Sequence, residues 1–274
     1  MIDQNINDYK QSLVLAEKQE KTIKQYARFI EEFCKEENIQ FVEDITKEKI
    51  IDYKKKLESK YKIKTVNIKL IILNSFLSFL GFDSGYKAKV LKEQFQNTIE
   101  NTLTLADYER LLRTALKKKK TMLYYLMRVL KETGIRVSEL KYITVEAVKV
   151  KKAVYNSKGT HRREAFIPKA LQKDLLKYCQ ENNITEGIIF KTKKGNPLDS
   201  AYIYKEIQYI SGQARVRKDK AHPHSFRHLF AKEYIKNEKH NLVDLKNLLG
   251  HKSLMTTEIY LAKSGNELGA TLED

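Results

Sequence analysis

At 274 residues, with 52 Lys and Arg against 35 Asp and Glu, the chain carries a formal charge of +17. That length suits one large domain or two smaller ones, and a 42% hydrophobic content excludes a disordered basic tail. The charge points to an anionic partner, nucleic acid before acidic membrane, although the abundance of Lys, Ile and Asn is also what an AT-rich genome produces.

Residues 1–97 read as almost wholly helical and contain no Pro. A first helix is expected over 6–16. Thr22 with Gln25 has the form of a capping box, followed by Ile23, Tyr26, Phe29, Ile30, Phe33 and Cys34 at helical spacing, with Asn38 as the stop. Ile50, Tyr53 and Leu57 carry a third helix. Val66, Ile68, Leu70, Ile71, Leu73, Phe76, Leu77 and Leu80 carry a fourth, apolar enough for the centre of a bundle and broken by Gly81 and Gly85. Apolar periodicity weakens over 87–102, and a linker is expected at 98–102, with a second domain over 103–274.

In that second domain Thr104 and Asp107 are expected to cap a helix running through Leu116. The run Lys117 to Lys120 reads as a solvated loop or a contact to a DNA backbone. A helix over 121–133 ends at Gly134, placed in the left-handed conformation. Short strands are expected over 145–150, 153–156 and 164–167, with Lys158-Gly159-Thr160 in the turn between the last two. Pro168 then opens a helix over 169–182, Ile188 to Phe190 is short and apolar, Gly195-Asn-Pro197 is a turn, and helices follow over 200–214, 224–237 and 241–249. The fold class is therefore mainly α with a small β-sheet.

Cys34 and Cys179 stand far apart and form no metal or redox spacing, as expected for free thiols in a reducing cytosol. The N-terminus has no basic region followed by an apolar one, and no apolar run reaches the length of a membrane span. A cytoplasmic protein without a membrane partner is expected. No Gly-x4-Gly-Lys-Ser/Thr loop is present, so no nucleotide cofactor is implied.

The densest chemistry lies between His222 and Tyr260: His-Pro-His-Ser-Phe-Arg-His at 222–228, Leu-Leu-Gly-His at 248–251, then Tyr260. A phosphodiester under attack gains negative charge, which fixed cations stabilise. Arg suits this because its planar fork grips two oxygens and keeps its proton; Arg136 and Arg227 are the candidates. Tyr260 offers a phenol nucleophile, with a free-solution pKa of about 10, and His224 can take its proton. Lys158 can protonate a leaving hydroxyl, and His251 can donate to a non-bridging oxygen. Taken singly, each residue has a plainer reading. Arg136 can be a surface ion pair with Glu139, Lys158 a hairpin lysine, His251 a helix cap, and Tyr260 one of 16 tyrosines. The trio His222, His224 and His228 has a spacing seen in metal sites, but neighbouring Arg and Lys and the lack of an acidic ligand in the motif weigh against a metal.

Jointly the pieces are more specific. Gly134-Ile-Arg136-Val-Ser-Glu139-Leu, His224-Ser-Phe-Arg227-His228, and Leu249-Gly-His251 through Thr257-Glu-Ile-Tyr260 resemble the three motif boxes of the tyrosine recombinase (phage integrase) family. Lys158 stands where that family places its β-hairpin lysine, in a turn followed by Arg163 and Ile167-Pro168. The resemblance covers about 103–261; over the N-terminal helices it is general.

The resemblance implies an N-terminal helical core-binding, SAM-like domain and a C-terminal α+β catalytic domain, closing on DNA as a C-shaped clamp. It implies catalytic roles for Arg136, Lys158, His224, Arg227, His251 and Tyr260, with an orienting role for Glu139 and a supporting one for His228. Tyr260 would attack a DNA phosphate, giving a 3′-phosphotyrosine and a free 5′ hydroxyl without metal, ATP or other cofactor. The implied partner is double-stranded DNA bearing inverted-repeat sites. Four protomers, identical or of two kinds, would synapse two such sites, with an accessory directionality factor as a further possible partner and the tail from Leu261 to Asp274 docking on a neighbouring protomer. The short chain, with no room for an arm-binding domain before the helices, resembles Xer-like or mobile-element integrase forms; integration and excision, inversion and dimer resolution all stay open. Two other readings share the motifs: a type IB topoisomerase, which religates the same strand, and a silent DNA-binding relative that keeps the fold but not the reaction.

Overall fold

The computed structural model describes residues 1–92, 102–156, 162–237, 240–250, 253–258 and 260. The chain divides into two compact units, Met1–Phe95 and Gln96–Asp274. Most described residues are helical, with one two-stranded sheet.

The first unit packs α1 (Ile2–Leu15), α2 (Glu20–Glu36), α3 (Lys47–Lys60) and α4 (Ile63–Phe79) around Tyr9, Ile30, Phe33, Ile50, Tyr53, Leu70, Leu73 and Phe76. The expected capping box at Thr22 is not where α2 begins. The helix starts two residues earlier, after extended Gln19, whose carbonyl accepts from the Thr22 and Ile23 amides. Glu20 then places a carboxylate in the first turn, where the helix dipole favours it. The first helix likewise starts at Ile2 rather than Ile6, because Ile2 and Ile6 are both buried one turn apart. Asn38, at φ 51°, ends α2 as expected.

After α4 the chain does not leave the unit at once. Asn74 exchanges two hydrogen bonds with Ala88, accepting from its amide at 2.8 Å and donating to its carbonyl at 2.9 Å, and Asn67 does the same with Leu91. Each amide side chain imitates a strand edge and straps the segment along the helix. Of the expected linker at 98–102, residues 98–101 lie outside the described residues.

The second unit opens with the expected capping box: Thr104 Oγ1 accepts from the Asp107 amide at 3.1 Å, and Asp107 accepts back from the Thr104 amide. The elements are α5 (Leu105–Lys117), α6 (Thr121–Thr133), a 3-10 segment (Val137–Tyr142), α7 (Val145–Lys149), strands β1 (Lys152–Asn156) and β2 (Arg162–Phe166), α8 (Lys169–Glu181), α9 (Ser200–Gln213), α10 (Pro223–Ile235), α11 (Leu242–Leu249) and α12 (Met255–Glu258). Here the strand expected over 145–150 is overturned: Val145–Lys149 is a helix. Thr144 caps it by accepting from the Ala147 amide at 3.1 Å, and burying Val145 and Val148 needs a three-residue repeat. Local capping outweighs the β preference of two valines.

The antiparallel strands pair Ala153 with Ala165 and Tyr155 with Arg163. The main core gathers Leu111, Met127, Leu130, Ile143, Leu171, Leu175, Ile207 and Phe226. A smaller cluster holds Ala231, Leu245, Leu249 and Tyr260. No helix among the described residues is long and apolar enough to cross a membrane.

Candidate active site

Four local devices bring the motif boxes together. Gly134 ends α6 at φ 63°, and a Cβ there would meet the Phe230 ring at 2.5 Å, so α6 and α10 approach closely only because it is glycine. Arg136 follows in extended conformation at the start of the 3-10 segment. Pro223 occupies the first turn of α10, where its missing N–H goes unmissed, and directs His224, Arg227 and His228 from one helix. Asn241 caps α11, its side chain accepting from the Asp244 amide at 2.8 Å, and Gly250 ends that helix at φ 60°.

Arg227 is the centre. It is 1% exposed, and its Nη1 donates to the Gly134 carbonyl at 2.7 Å while Nη2 donates to the Leu249 carbonyl at 2.6 Å. One guanidinium therefore ties the end of α6 to the end of α11, 93 and 22 residues away in sequence. Tyr260, also buried, shares a hydrogen bond with Arg227. Arg136 Nη1 donates to Glu139 Oε1 at 2.9 Å, and its Nη2 reaches the Gly250 carbonyl at 3.4 Å. The His228 ring lies against both Tyr260, at 5.2 Å between centroids, and His224, at 4.4 Å.

Of the six residues expected to act, Arg136, His224, Arg227 and Tyr260 are thus brought to one place. Lys158 and His251 lie outside the described residues, as does the tail 261–274.

Two participants were not singled out by the sequence. Arg163 is 6% exposed, and its Nη1 donates to Glu139 Oε1 at 2.7 Å. Tyr155 donates its hydroxyl to Glu139 Oε2 at 2.9 Å. The signal was the two-residue alternation that puts Arg163 on the buried face of β2 with Ala165. A strand taken to begin at Glu164 leaves Arg163 in the turn and hides that phase.

Two guanidiniums, Arg136 and Arg163, therefore bond one carboxylate, Glu139, with the charge of Arg227 acting on the same group, and the described cluster is net cationic. Burial, and then the like charges of Arg136 and Arg163, pull the Arg227 guanidinium down to about 10, still protonated at neutral pH. Burial lowers Arg163 too, against the opposing pull of Glu139. An arriving phosphate relieves this repulsion. Burial raises the Tyr260 phenol above its ordinary value, while the charge of Arg227, its hydrogen bond and the charge of Arg136 pull the other way. Desolvation, followed by Arg227, His222 and Arg136, lowers His224, which keeps it neutral and able to accept a proton at pH 7. The arrangement can hold a phosphoryl oxygen between cations, beside a phenol whose ionised form those cations stabilise.

Residues 101–267 match the phage integrase family. The chain is 35% identical over 140 residues to the tyrosine recombinase XerH of Campylobacter jejuni, a match spanning 49% of this chain but only 39% of that protein. It is 24% identical over 275 residues to the tyrosine recombinase XerA of Pyrococcus furiosus, spanning 98% of this chain and 92% of that protein. Among solved structures, a lambda integrase tetramer bound to a Holliday junction superposes with a TM-score of 0.78 at 19% identity, over 94% of this chain and 76% of that one. At that identity the likeness speaks for the fold.

Proposed function

The chain belongs to the phage integrase family, and from that premise we propose that it is a site-specific tyrosine recombinase acting on double-stranded DNA. The observation that carries the reading is the bond between buried Tyr260 and Arg227, set in a net cationic cluster with Arg136. A nucleophile already touching the cation that would hold its target needs little rearrangement to attack.

In the proposed reaction a phosphate enters between Arg136 and Arg227, with Lys158 and His251 completing the site. The Tyr260 oxygen bonds to phosphorus as the bond to the 5′ oxygen breaks. The phenol proton passes to the histidines of α10, with His224 as acceptor, and Lys158 gives a proton to the leaving 5′ oxygen, which departs as a hydroxyl. The product is a 3′-phosphotyrosine, and a 5′ hydroxyl from a partner strand reverses the step. One phosphate ester replaces another, so no ATP is consumed. Glu139 orients Arg136.

Strand exchange in this reading assembles four protomers, of one or two kinds, on two inverted-repeat sites in the cytoplasm, with a directionality factor as an optional partner and the 261–274 tail linking neighbours. The helical N-terminal unit supplies further DNA contacts, and affinity should fall steeply with salt as phosphate contacts release counterions. Integration and excision, inversion and dimer resolution are the biological settings that this reaction can serve.

Covalent trapping tests the reading. Nicked suicide duplexes carrying inverted repeats that flank the gene are incubated with protein in EDTA and resolved on a denaturing gel beside Tyr260→Phe. A protein–DNA band in wild type alone is expected. Absence of the band on a duplex that the protein demonstrably binds would leave a DNA-binding protein without this chemistry. Relaxation of any plasmid without recombinant product would instead identify a topoisomerase.

A further inference from the structure

We propose that Arg163 is a positioning residue for this reaction, fixing Glu139, and through it Arg136, against the turn at Gly250; the inference rests on the recombinase reading.

A buried arginine on a two-stranded hairpin is unfavourable unless its charge is matched and its N–H groups have acceptors. The two terminal nitrogens of Arg163 find both, and in separate segments, while its buried Nε has no hydrogen-bond partner among the described residues. Its Nη1 donates to Glu139 Oε1 at 2.7 Å, 24 residues away, and its Nη2 donates to the Leu248 carbonyl at 3.1 Å, 85 residues away. The second contact is at the last turn of α11, where free carbonyls and the helix dipole favour a cation. Gly250 makes room for it. A Cβ on Gly250 would lie 2.6 Å from Arg163 Nε and 2.8 Å from its Cδ, so the guanidinium and the left-handed turn require the same glycine. Only a planar fork can reach a carboxylate and a carbonyl in this way; an ammonium reaches one of them.

Glu139 shows what is being positioned. Oε1 accepts from Arg136 Nη1 and Arg163 Nη1, while Oε2 accepts from the Arg136 amide at 2.8 Å and the Tyr155 hydroxyl at 2.9 Å. Tyr155 and Arg163 face each other across the hairpin, and Tyr155 is itself stacked on Tyr142 at 4.9 Å. The hairpin thus grips the carboxylate from one side, and Arg136 takes the remainder. By sharing Glu139, Arg163 keeps Arg136 from being fully neutralised, and the Arg136 side chain remains 38% exposed for an incoming anion. The same residue anchors the end of α11, whose Leu249 carbonyl receives Arg227.

The test is single-turnover formation of the covalent adduct on the nicked duplex, with half-site Kd and thermal midpoint measured on the same full-length preparations. Arg163→Met should slow adduct formation by roughly 10- to 100-fold, the scale found when a group that orients a ligand is removed, with Kd little changed. Arg163→Lys should fall between Met and wild type, because it restores the charge opposite Glu139 but not the bond to Leu248. Tyr155→Phe, which keeps the ring and its stack, gives a milder loss of the same kind. In an Arg163→Met, Glu139→Gln double variant the rate should be no slower than in Glu139→Gln alone, since both act through one carboxylate. Arg163→Met cleaving at the wild-type rate would overturn the proposal. So would a Lys variant no better than Met with affinity and midpoint lost in parallel, or additive effects in the double variant. No adduct from wild type on a bound site would overturn the recombinase reading and this role with it, whereas a wild-type adduct matched by Arg163→Met removes the positioning role alone.

Discussion

The two units bury different kinds of side chain. In the first, the largest fully buried residues are Tyr9, Tyr53, Phe33 and Phe76, and the core is a matter of apolar packing. In the second, the largest fully buried residue is Arg227, and Glu139 and Arg163 are buried with it. Removing such charges from water is costly, and a hydrophobic set of equal volume is often at least as stable. In the first unit the buried charge is Glu37, paired with Lys56; in the second, apart from Asp107 in the cap of α5, the buried charges among the described residues gather at the candidate site.

The strongest way to break the comparison is Tyr260→Phe. It keeps the buried ring and removes the hydroxyl, so adduct should fall below detection on a denaturing gel while half-site binding persists. A persisting adduct would place the nucleophile elsewhere. Next is Arg227→Lys, which keeps the charge but loses the fork that holds the Gly134 and Leu249 carbonyls. Adduct formation should slow by about 100-fold or more, and a rate within threefold of wild type would mean that charge without geometry suffices.

Leu73→Ala probes the other side. Leu73 is fully buried in α4, and its truncation should cost about 2–5 kcal/mol, read as a lower urea midpoint of the transition that unfolds the first unit. A loss under 1 kcal/mol would show that this core is not close-packed.

The pH dependence follows from His224. Its pKa is held below the ordinary 6.5 by desolvation and then by Arg227, His222 and Arg136. A base with a lowered pKa stays neutral further into acid, so the acid limb of the adduct rate should begin below pH 6.5 and fall about tenfold per unit beneath it. His224→Gln should remove that limb; a limb at or above 6.5 would assign the proton to another group. The smallest effect is expected for Thr104→Ala, which deletes the cap of α5 and should cost about 1 kcal/mol, measured as a small drop in Tm without a change in cleavage rate.

The sequence by itself determined whatever is written within a turn or two of chain. Helical periodicity, the Thr104 cap and the left-handed Gly134 were legible because their partners are three or four residues away, and the motif boxes because each is a short contiguous run. Where two local signals competed the sequence misled: the valines of 145–148 read as strand until Thr144 is seen to cap a helix. Only the tertiary structure decided which groups share a partner. That Arg163 and Tyr155 meet Glu139, that Arg227 joins carbonyls at Gly134 and Leu249, and that His228 lies between His224 and Tyr260 are contacts across tens of residues or across a helix face. Local propensity carries no information on such pairs. They form because packing the core of the second unit leaves these polar groups out of water, where each must find its complement from another segment.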